Sequence, residues 1–460
     1  MELNAGFCRM LEEAIGRENA AVAFSAFDDA ALCSVRLNPF KQLDEACLPQ
    51  GKVVGWSRWG RLLTERPKFT LDPAFHGGCY YVQDSSSMFV GQIFRELAGT
   101  LNMCGGRVLR VLDLCAAPGG KTTDLAASLR EICGDRFLLV ANEVMKQRVG
   151  VLADNVALWG DPNVVVTSDD PGRFATLAGW FDFIIADVPC SGEGMFRKDE
   201  QAVAMWSADN VALCQSRQRR IVADVWNALA PEGMLIYSTC TFNRHENDEN
   251  VKWIADNLGA EILSHSCFGV FDGVIPTEYG YSLVPGFVAG EGQYCAAMRK
   301  KPSEIEYIPS KSRHLRDSMT VDKVMVRRIK EMFSIDVDLR VKGETVTAVP
   351  SGLADDIAVL ESCLHVVSAG VAVGAIKGRD LVPDADLALS VVLREDAFKT
   401  VVVDKATALK FLHRDNIFLP DTEKGYVLIK YGAQGIGFVK NLGNRCNNLH
   451  PQSRRIRMDV

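Results

Sequence analysis

Apolar positions along the 460-residue chain change their rhythm several times. Phe7, Met10, Leu11, Ala14 and Ile15 recur at helical spacing and predict a helix near the N-terminus. A mixed stretch follows, including Ser34–Asn38 and Lys52–Trp56. From about residue 79 to 300 the apolar runs Val108–Leu114, Phe137–Asn142, Val164–Thr167, Phe181–Ala186 and Met234–Ser238 alternate with amphipathic stretches at Thr122–Leu129, Val144–Leu158 and Asn210–Leu229. Strands alternating with helices predict βαβ units and a mostly parallel sheet, an α/β fold. Glu261–Ser264 and Tyr294–Arg299 are predicted to close one edge as an antiparallel pair. Lys301–Lys330 reads as a connector carrying Lys311, Arg313, Arg316, Lys323, Arg327, Arg328 and Lys330, and the remainder has short Val-rich runs and many turns. The expected division is therefore 1–78, an N-terminal α/β extension expected to bind RNA; 79–300, the α/β core; 301–385, a connector and small α/β module; and 386–460, a β-rich region.

Composition narrows the class. Hydrophobic residues make up 48% and charged residues 24%, the balance of an ordinary globular protein. No run is long and apolar enough to span a bilayer, and no segment has the pattern of a signal peptide. The fourteen cysteines are scattered without C-x-x-C spacing. They are expected to be free thiols of a reduced, cytoplasmic protein, with only a few doing chemistry. A net charge of −7 argues against a nonspecific nucleic-acid coat, though not against a local basic groove. Two such grooves are candidates. Arg58, Arg61, Arg66 and Lys68 lie beside Trp56 and Trp59, and the tail carries Lys440, Arg445, Arg454, Arg455 and Arg457. Cations beside rings suit single-stranded nucleic acid; a solvated basic edge over core tryptophans is the plainer account of the first patch.

The strand Val108–Leu114 runs into Cys115-Ala116-Ala117-Pro118-Gly119-Gly120-Lys121, and a helix follows. A small, Gly-rich turn between strand and helix lets a ligand approach the backbone and the helix N-terminus. The spacing is not that of a dinucleotide loop, and the first glycine of a phosphate loop is missing. Glu143 ends the second strand, about twenty residues on, where a carboxylate would accept from ribose hydroxyls. Asp169 and Asp170 end the third, where one would meet an adenine edge. Any one of these acids alone reads as a turn or helix cap. In register with the loop they outline a nucleoside crevice.

The fourth strand ends Asp187-Val188-Pro189-Cys190-Ser191-Gly192, and the fifth ends Tyr237-Ser238-Thr239-Cys240-Thr241. Neighbouring strands lie about 4.8 Å apart, so both thiols and Asp187 are expected to open into one crevice. Either cysteine alone is more simply a small core residue. The set suits methylation of cytosine at carbon 5, a poor nucleophile. A thiolate that adds at carbon 6 makes carbon 5 electron-rich. An acid then stabilises the adduct at ring nitrogen 3, and a second thiol helps the adduct collapse.

These motifs, with Gln83–Ser87, Glu193-Gly194, Arg197-Lys198-Asp199 and Pro231-Glu232-Gly233, resemble the Nol/Nop/Sun family of RNA cytosine-5 methyltransferases. The likeness is strongest to the bacterial RsmF type, which acts on 16S ribosomal RNA. The tail Gly437–Arg445 is similar to that type's PUA-like module, so 386–460 is expected to be PUA-like and RNA-binding. The resemblance implies a class I, Rossmann-like, seven-stranded core that uses S-adenosylmethionine. It implies Cys240 as nucleophile, Cys190 as the release cysteine, and cofactor contacts from Cys115, Ala116, Ala117, Pro118, Gly119, Gly120, Lys121, Glu143, Asp170 and Asp187. Lys198 would approach the RNA, or simply be solvated. Arg148 would support the cofactor site, or form a helix-surface ion pair. The expected partner is ribosomal RNA or the small ribosomal subunit, with tRNA second, no membrane, and a monomeric chain. Two further readings stay open: a DNA methyltransferase in which Cys190 attacks, and a non-catalytic RNA-binding ribosome assembly factor.

Overall fold

A computed structural model describes residues 2–41, 47–100, 106–263, 265, 268–302, 322–378 and 380–460. Five parallel strands form its centre: β1 Leu109–Asp113, β2 Phe137–Asn142, β3 Val164–Thr167, β4 Phe181–Asp187 and β5 Leu229–Thr239, in the order β3-β2-β1-β4-β5. They are connected by α1 Gly120–Cys133, α2 Lys146–Trp159 and α3 Ala208–Val225, and α4 Asp248–Leu258 follows β5. Strands covered on both faces need apolar residues at successive positions, which is why these strands read as continuous runs. Leu109, Val111, Leu139 and Phe183 face α1, α2 and the helix Phe89–Thr100. Leu112, Val140, Ile184 and Leu235 face α3 and α4. Each such fully buried side chain contributes about 1.5–3 kcal/mol.

The edge pair forms as expected. β6 Ala260–Ile262 pairs antiparallel with β7 Gln293–Lys300, which runs antiparallel to β5, with Glu261 opposite Arg299; Ser264 lies outside the described residues. These seven strands are the expected core. Three more extend the sheet to ten: Ile275–Pro276 and Tyr281–Leu283 beyond β7, and Val366–Ala369 antiparallel beside β3. The last comes from the segment expected to be a separate module, 301–385. It covers what would be an open sheet edge, a pairing across some two hundred residues that local pattern does not reveal. Lys311, Arg313 and Arg316 lie outside the described residues.

The N-terminal region has two helices, Ala5–Ile15 and Arg17–Ala26, and a four-stranded sheet of Cys33–Leu37, Lys52–Val54, Ser57–Leu63 and Tyr80–Val82. Its last strand lies past the expected boundary at 78, paired with Cys33–Leu37. Trp56 is a core residue: its indole donates to the Ser85 carbonyl at 2.7 Å and its ring meets Phe89 edge-on. The plainer account of that tryptophan holds. After the connector come two four-stranded sheets, one from Val337–Lys342, Thr345–Pro350, Val371–Lys377 and Asp380–Pro383, the other from Lys399–Val403, Gly425–Tyr431, Gln434–Asn441 and Cys446–Asn448. Among the described residues, no helix is long and apolar enough to cross a membrane.

Candidate active site

The carboxyl ends of β1, β2 and β3 form one wall of a crevice. After β1 the chain turns at Gly119, whose φ of +111° suits glycine, and enters α1 with no side-chain cap. The uncapped first turn leaves amides directed at the crevice, a site for negative charge. The loop is braced from outside. Asn142 O accepts from Ala116 N at 2.8 Å, Pro118 O accepts from Asn155 Nδ2 at 2.8 Å and from Tyr81 Oη at 3.2 Å, and Ala117 O accepts from Arg148. Arg36 of the N-terminal sheet is buried beneath it. Its guanidinium donates to Gln83 Oε1 at 2.8 Å, Gly120 O at 3.2 Å and Thr123 Oγ1, and stacks 4.6 Å from the Trp159 ring.

Glu143 is buried, with Oε1 accepting from Met145 N at 2.8 Å and Oε2 lying 3.3 Å from Arg148 Nη1. Arg148 therefore touches both the loop and the acid, which goes beyond a helix-surface ion pair. The two acids after β3 are separated by their partners. Asp169 Oδ2 accepts from His365 N at 2.6 Å and belongs to the sheet edge, while Asp170 is exposed and caps the turn of helix Pro171–Leu177 through Gly172 N at 3.0 Å. Asn142 ties these ends together: it donates to Leu114 O and Asp169 O, and accepts from Thr167 Oγ1 and Asp169 N. Sequence reasoning missed Asn142, a polar residue ending an apolar strand.

It also missed Asp113, the last residue of β1. This carboxyl is fully buried; Oδ2 accepts from Thr122 Oγ1 at 2.6 Å and Oδ1 has no partner. Burial pushes its pKa up to about 7, the Thr122 bond opposing. An unpartnered acceptor beneath the loop, the open helix N-terminus and the Glu143 carboxylate form a donor and acceptor set that fits the amino-acid and ribose groups of S-adenosylmethionine.

The other wall is formed by the ends of β4 and β5. Asp187 Oδ2 accepts from Lys121 Nζ at 2.8 Å, and Oδ1 accepts from Ser238 Oγ at 2.8 Å and Gln293 Nε2 at 3.1 Å. Burial lowers the Lys121 pKa, but the Asp187 carboxylate outweighs it and leaves the ammonium raised above its ordinary value. Cys190 and Cys240 meet with their sulfurs 3.1 Å apart. The bond to Cys240 and then burial push the Cys190 thiol well up, and the nearby Glu246 carboxylate adds to this.

Two buried glutamates interlock the thiol-bearing loops. Glu193, after Cys190, accepts from Phe242 N at 2.7 Å and from Asn243 N and Nδ2. Glu246, after Cys240, accepts from Ser191 N at 3.0 Å, from Ser191 Oγ and from Gln218 Nε2 at 2.7 Å. Glu193 was visible in the sequence only as part of a motif, and Glu246 carried no local signal. The Lys198 ammonium lies 3.7 Å from Glu291 and 3.9 Å from Asp84.

Known proteins place this geometry. The family described as 16S rRNA methyltransferase RsmB/F matches residues 102–299, the N-terminal domain of RsmF matches 3–85, and the RsmF PUA domain matches 398–456. Ribosomal RNA small subunit methyltransferase F of Shewanella loihica is 30% identical over 396 residues, covering 82% of this chain and 77% of that protein. The protein of the same name from Cronobacter sakazakii is 34% identical over 293 residues, covering 60% of this chain and 58% of that one. Among solved structures, a methyltransferase homolog from Pyrococcus horikoshii superposes with a TM-score of 0.51 at 26% identity, covering 64% of this chain and 93% of that one. The seven-stranded core, its loop after β1 and these relatives agree: the chain belongs to the ribosomal RNA small subunit methyltransferase F family of S-adenosylmethionine-dependent methyltransferases.

Proposed function

We propose that this chain methylates carbon 5 of a cytidine in 16S ribosomal RNA, with Cys240 as the attacking group and Cys190 as the release group. The observation that carries the reading is the 3.1 Å contact between the two sulfurs at the ends of adjacent strands, beside Asp187 and Lys121.

S-adenosylmethionine supplies an electrophilic methyl group, held by residues 115–121, Glu143 and Asp170. The target cytosine enters unstacked from its strand. The Cys240 thiolate adds to carbon 6; the S–C6 bond forms and the ring's electron pair moves to carbon 5. Asp187, whose Oδ2 accepts from the Lys121 ammonium, takes up the proton that Cys240 loses on becoming a thiolate and shares it with ring nitrogen 3, which stabilises the adduct. Once carbon 5 carries the methyl group, its proton must leave and the S–C6 bond must break. Cys190, protonated at neutral pH because its thiol is pushed up, hands its proton to the departing Cys240 sulfur and takes up the one leaving carbon 5. Both thiols end as they began, and the one proton that replacing hydrogen by methyl releases leaves from ring nitrogen 3 through Asp187.

The opposite assignment, with Cys190 attacking as in DNA cytosine methylation, is opposed by the charges. The bond to Cys240, burial and the nearby Glu246 carboxylate push the Cys190 thiol well up, which disfavours the thiolate it would need in order to attack. Lys198 and the cations of the C-terminal region serve RNA binding in this reading. Bisulfite sequencing of RNA from cells with and without the gene tests the substrate: one protected cytosine in 16S RNA disappears on deletion. Loss confined to tRNA, or no loss in any RNA, contradicts the proposal.

A further inference from the structure

The mechanism leaves Glu246 unused, although it is buried and has four donors around it. Oε2 accepts from the Ser191 amide at 3.0 Å and from Gln218 Nε2 at 2.7 Å, and Oε1 accepts from Ser191 Oγ and from Asn243 Nδ2 at 2.9 Å. The same Gln218 amide donates to Pro189 O at 3.0 Å. Cys190 is thus gripped on both flanks, at the carbonyl before it and the amide after it, by one hydrogen-bonded unit. That unit is anchored on the loop that carries Cys240. A buried carboxylate is costly in itself: burial raises the Glu246 pKa, against the hydrogen bonds from Ser191 and Asn243. A neutral glutamine would place a second amide donor against the Ser191 amide or Gln218. The carboxylate is the form that accepts from all four.

We infer that Glu246, braced by Gln218, is a positioning residue that fixes the Cys190 sulfur against Cys240 and so sets the rate of adduct release rather than of attack. The asymmetry follows from what it holds. It holds Ser191 directly and Pro189 through Gln218, on either side of Cys190; on the Cys240 loop it accepts from the Asn243 side chain alone, while the peptide amides of Phe242 and Asn243 are held by Glu193. Losing Glu246 displaces the release thiol and leaves the nucleophile and the Asp187–Lys121 pair in place.

The inference rests on the proposed roles of the two cysteines, so the test measures both. Full-length wild type, Glu246→Gln, Cys190→Ala and the Glu246→Gln/Cys190→Ala double variant are mixed with 16S RNA and S-adenosylmethionine in single turnover. Denaturation-resistant protein–RNA adduct is followed over time. Glu246→Gln is expected to form adduct at a rate within about threefold of wild type and to release it about tenfold more slowly, the loss of one charged hydrogen-bond set. The double variant is expected to release no more slowly than Cys190→Ala alone, because both act on one step. Ser191→Ala, a milder change that keeps the buried charge, should slow release in the same direction by about threefold and stands in should Glu246→Gln not fold. Parallel loss of formation and release, or multiplicative losses in the double variant, would mean that Glu246 only supports the fold. If Cys190→Ala traps adduct while Glu246→Gln and Ser191→Ala do not, this inference alone fails; if Cys190→Ala itself traps none, the cysteine roles fail and the inference falls with them.

Discussion

At the ends of β1, β2 and β3 the crevice is walled by main chain and by acids that each sit on their own strand. At the ends of β4 and β5 it is walled by two loops that reach into each other with reciprocal side-chain hydrogen bonds. The first wall is a property of the α/β topology: a strand, a glycine turn and an uncapped helix suffice to make a site for a charged ligand. The second depends on Glu193 and Glu246 crossing between loops to set a distance between two sulfurs. Apart from the Lys121–Asp187 ion pair that joins the two walls, binding the methyl donor and the proposed covalent step are therefore separable. Changes on one side should leave the other nearly intact.

The largest expected effect breaks the comparison at the thiol wall. Cys240→Ala removes the proposed nucleophile and should lower methyl transfer by at least about 10⁴-fold. Binding of S-adenosylmethionine, followed by calorimetry, should stay within about twofold, since no contact to the loop after β1 is lost. Loss of both together would mean that the walls are not independent.

The converse change is Glu143→Ala. It removes a buried acceptor and leaves Arg148 without its acid, and should weaken S-adenosylmethionine binding by roughly 10- to 100-fold, as for a charged hydrogen bond. The reaction of Cys240 with a small alkylating reagent should be unchanged. Unaltered affinity would remove Glu143 from the cofactor wall.

The smallest effect sharpens the boundary between them. Asp113 has a folded pKa pushed up to about 7, from an ordinary value of 3.8. A carboxyl raised on folding favours the folded state below its unfolded value, and this contribution is lost as pH rises through about 7. Asp113→Asn should therefore melt progressively higher than wild type as pH increases from about 5 to about 8. A Tm difference that does not change with pH would mean that the carboxyl is not raised.

The sequence carried the first wall well and the second only in part. β2 and β3 begin and end where their apolar runs do, because strands buried on both faces announce themselves locally. Gly119 and Gly120, Glu143 and both cysteines were legible because each lies at the end of such a run. Asp113 and Asn142 were hidden by lying inside runs read as apolar. Glu246 was hidden because its role exists only once Ser191, 55 residues earlier, is folded against it. The edge strand Val366–Ala369 was hidden for the same reason, its partner β3 lying far back in the chain. Trp56 bears out the plainer of its two readings: a tryptophan beside cations, which also suited a stacking platform, is core.

The account turns on which sulfur bonds to the base. Purified wild type, Cys190→Ala and the Cys190→Ala/Cys240→Ala double variant, incubated with S-adenosylmethionine and 16S RNA and run on a denaturing gel, decide this directly. Cys190→Ala should retain RNA as a slow-migrating covalent species that the double variant cannot form. An adduct that survives in the double variant, or one that appears with Cys240→Ala and not with Cys190→Ala, would contradict it.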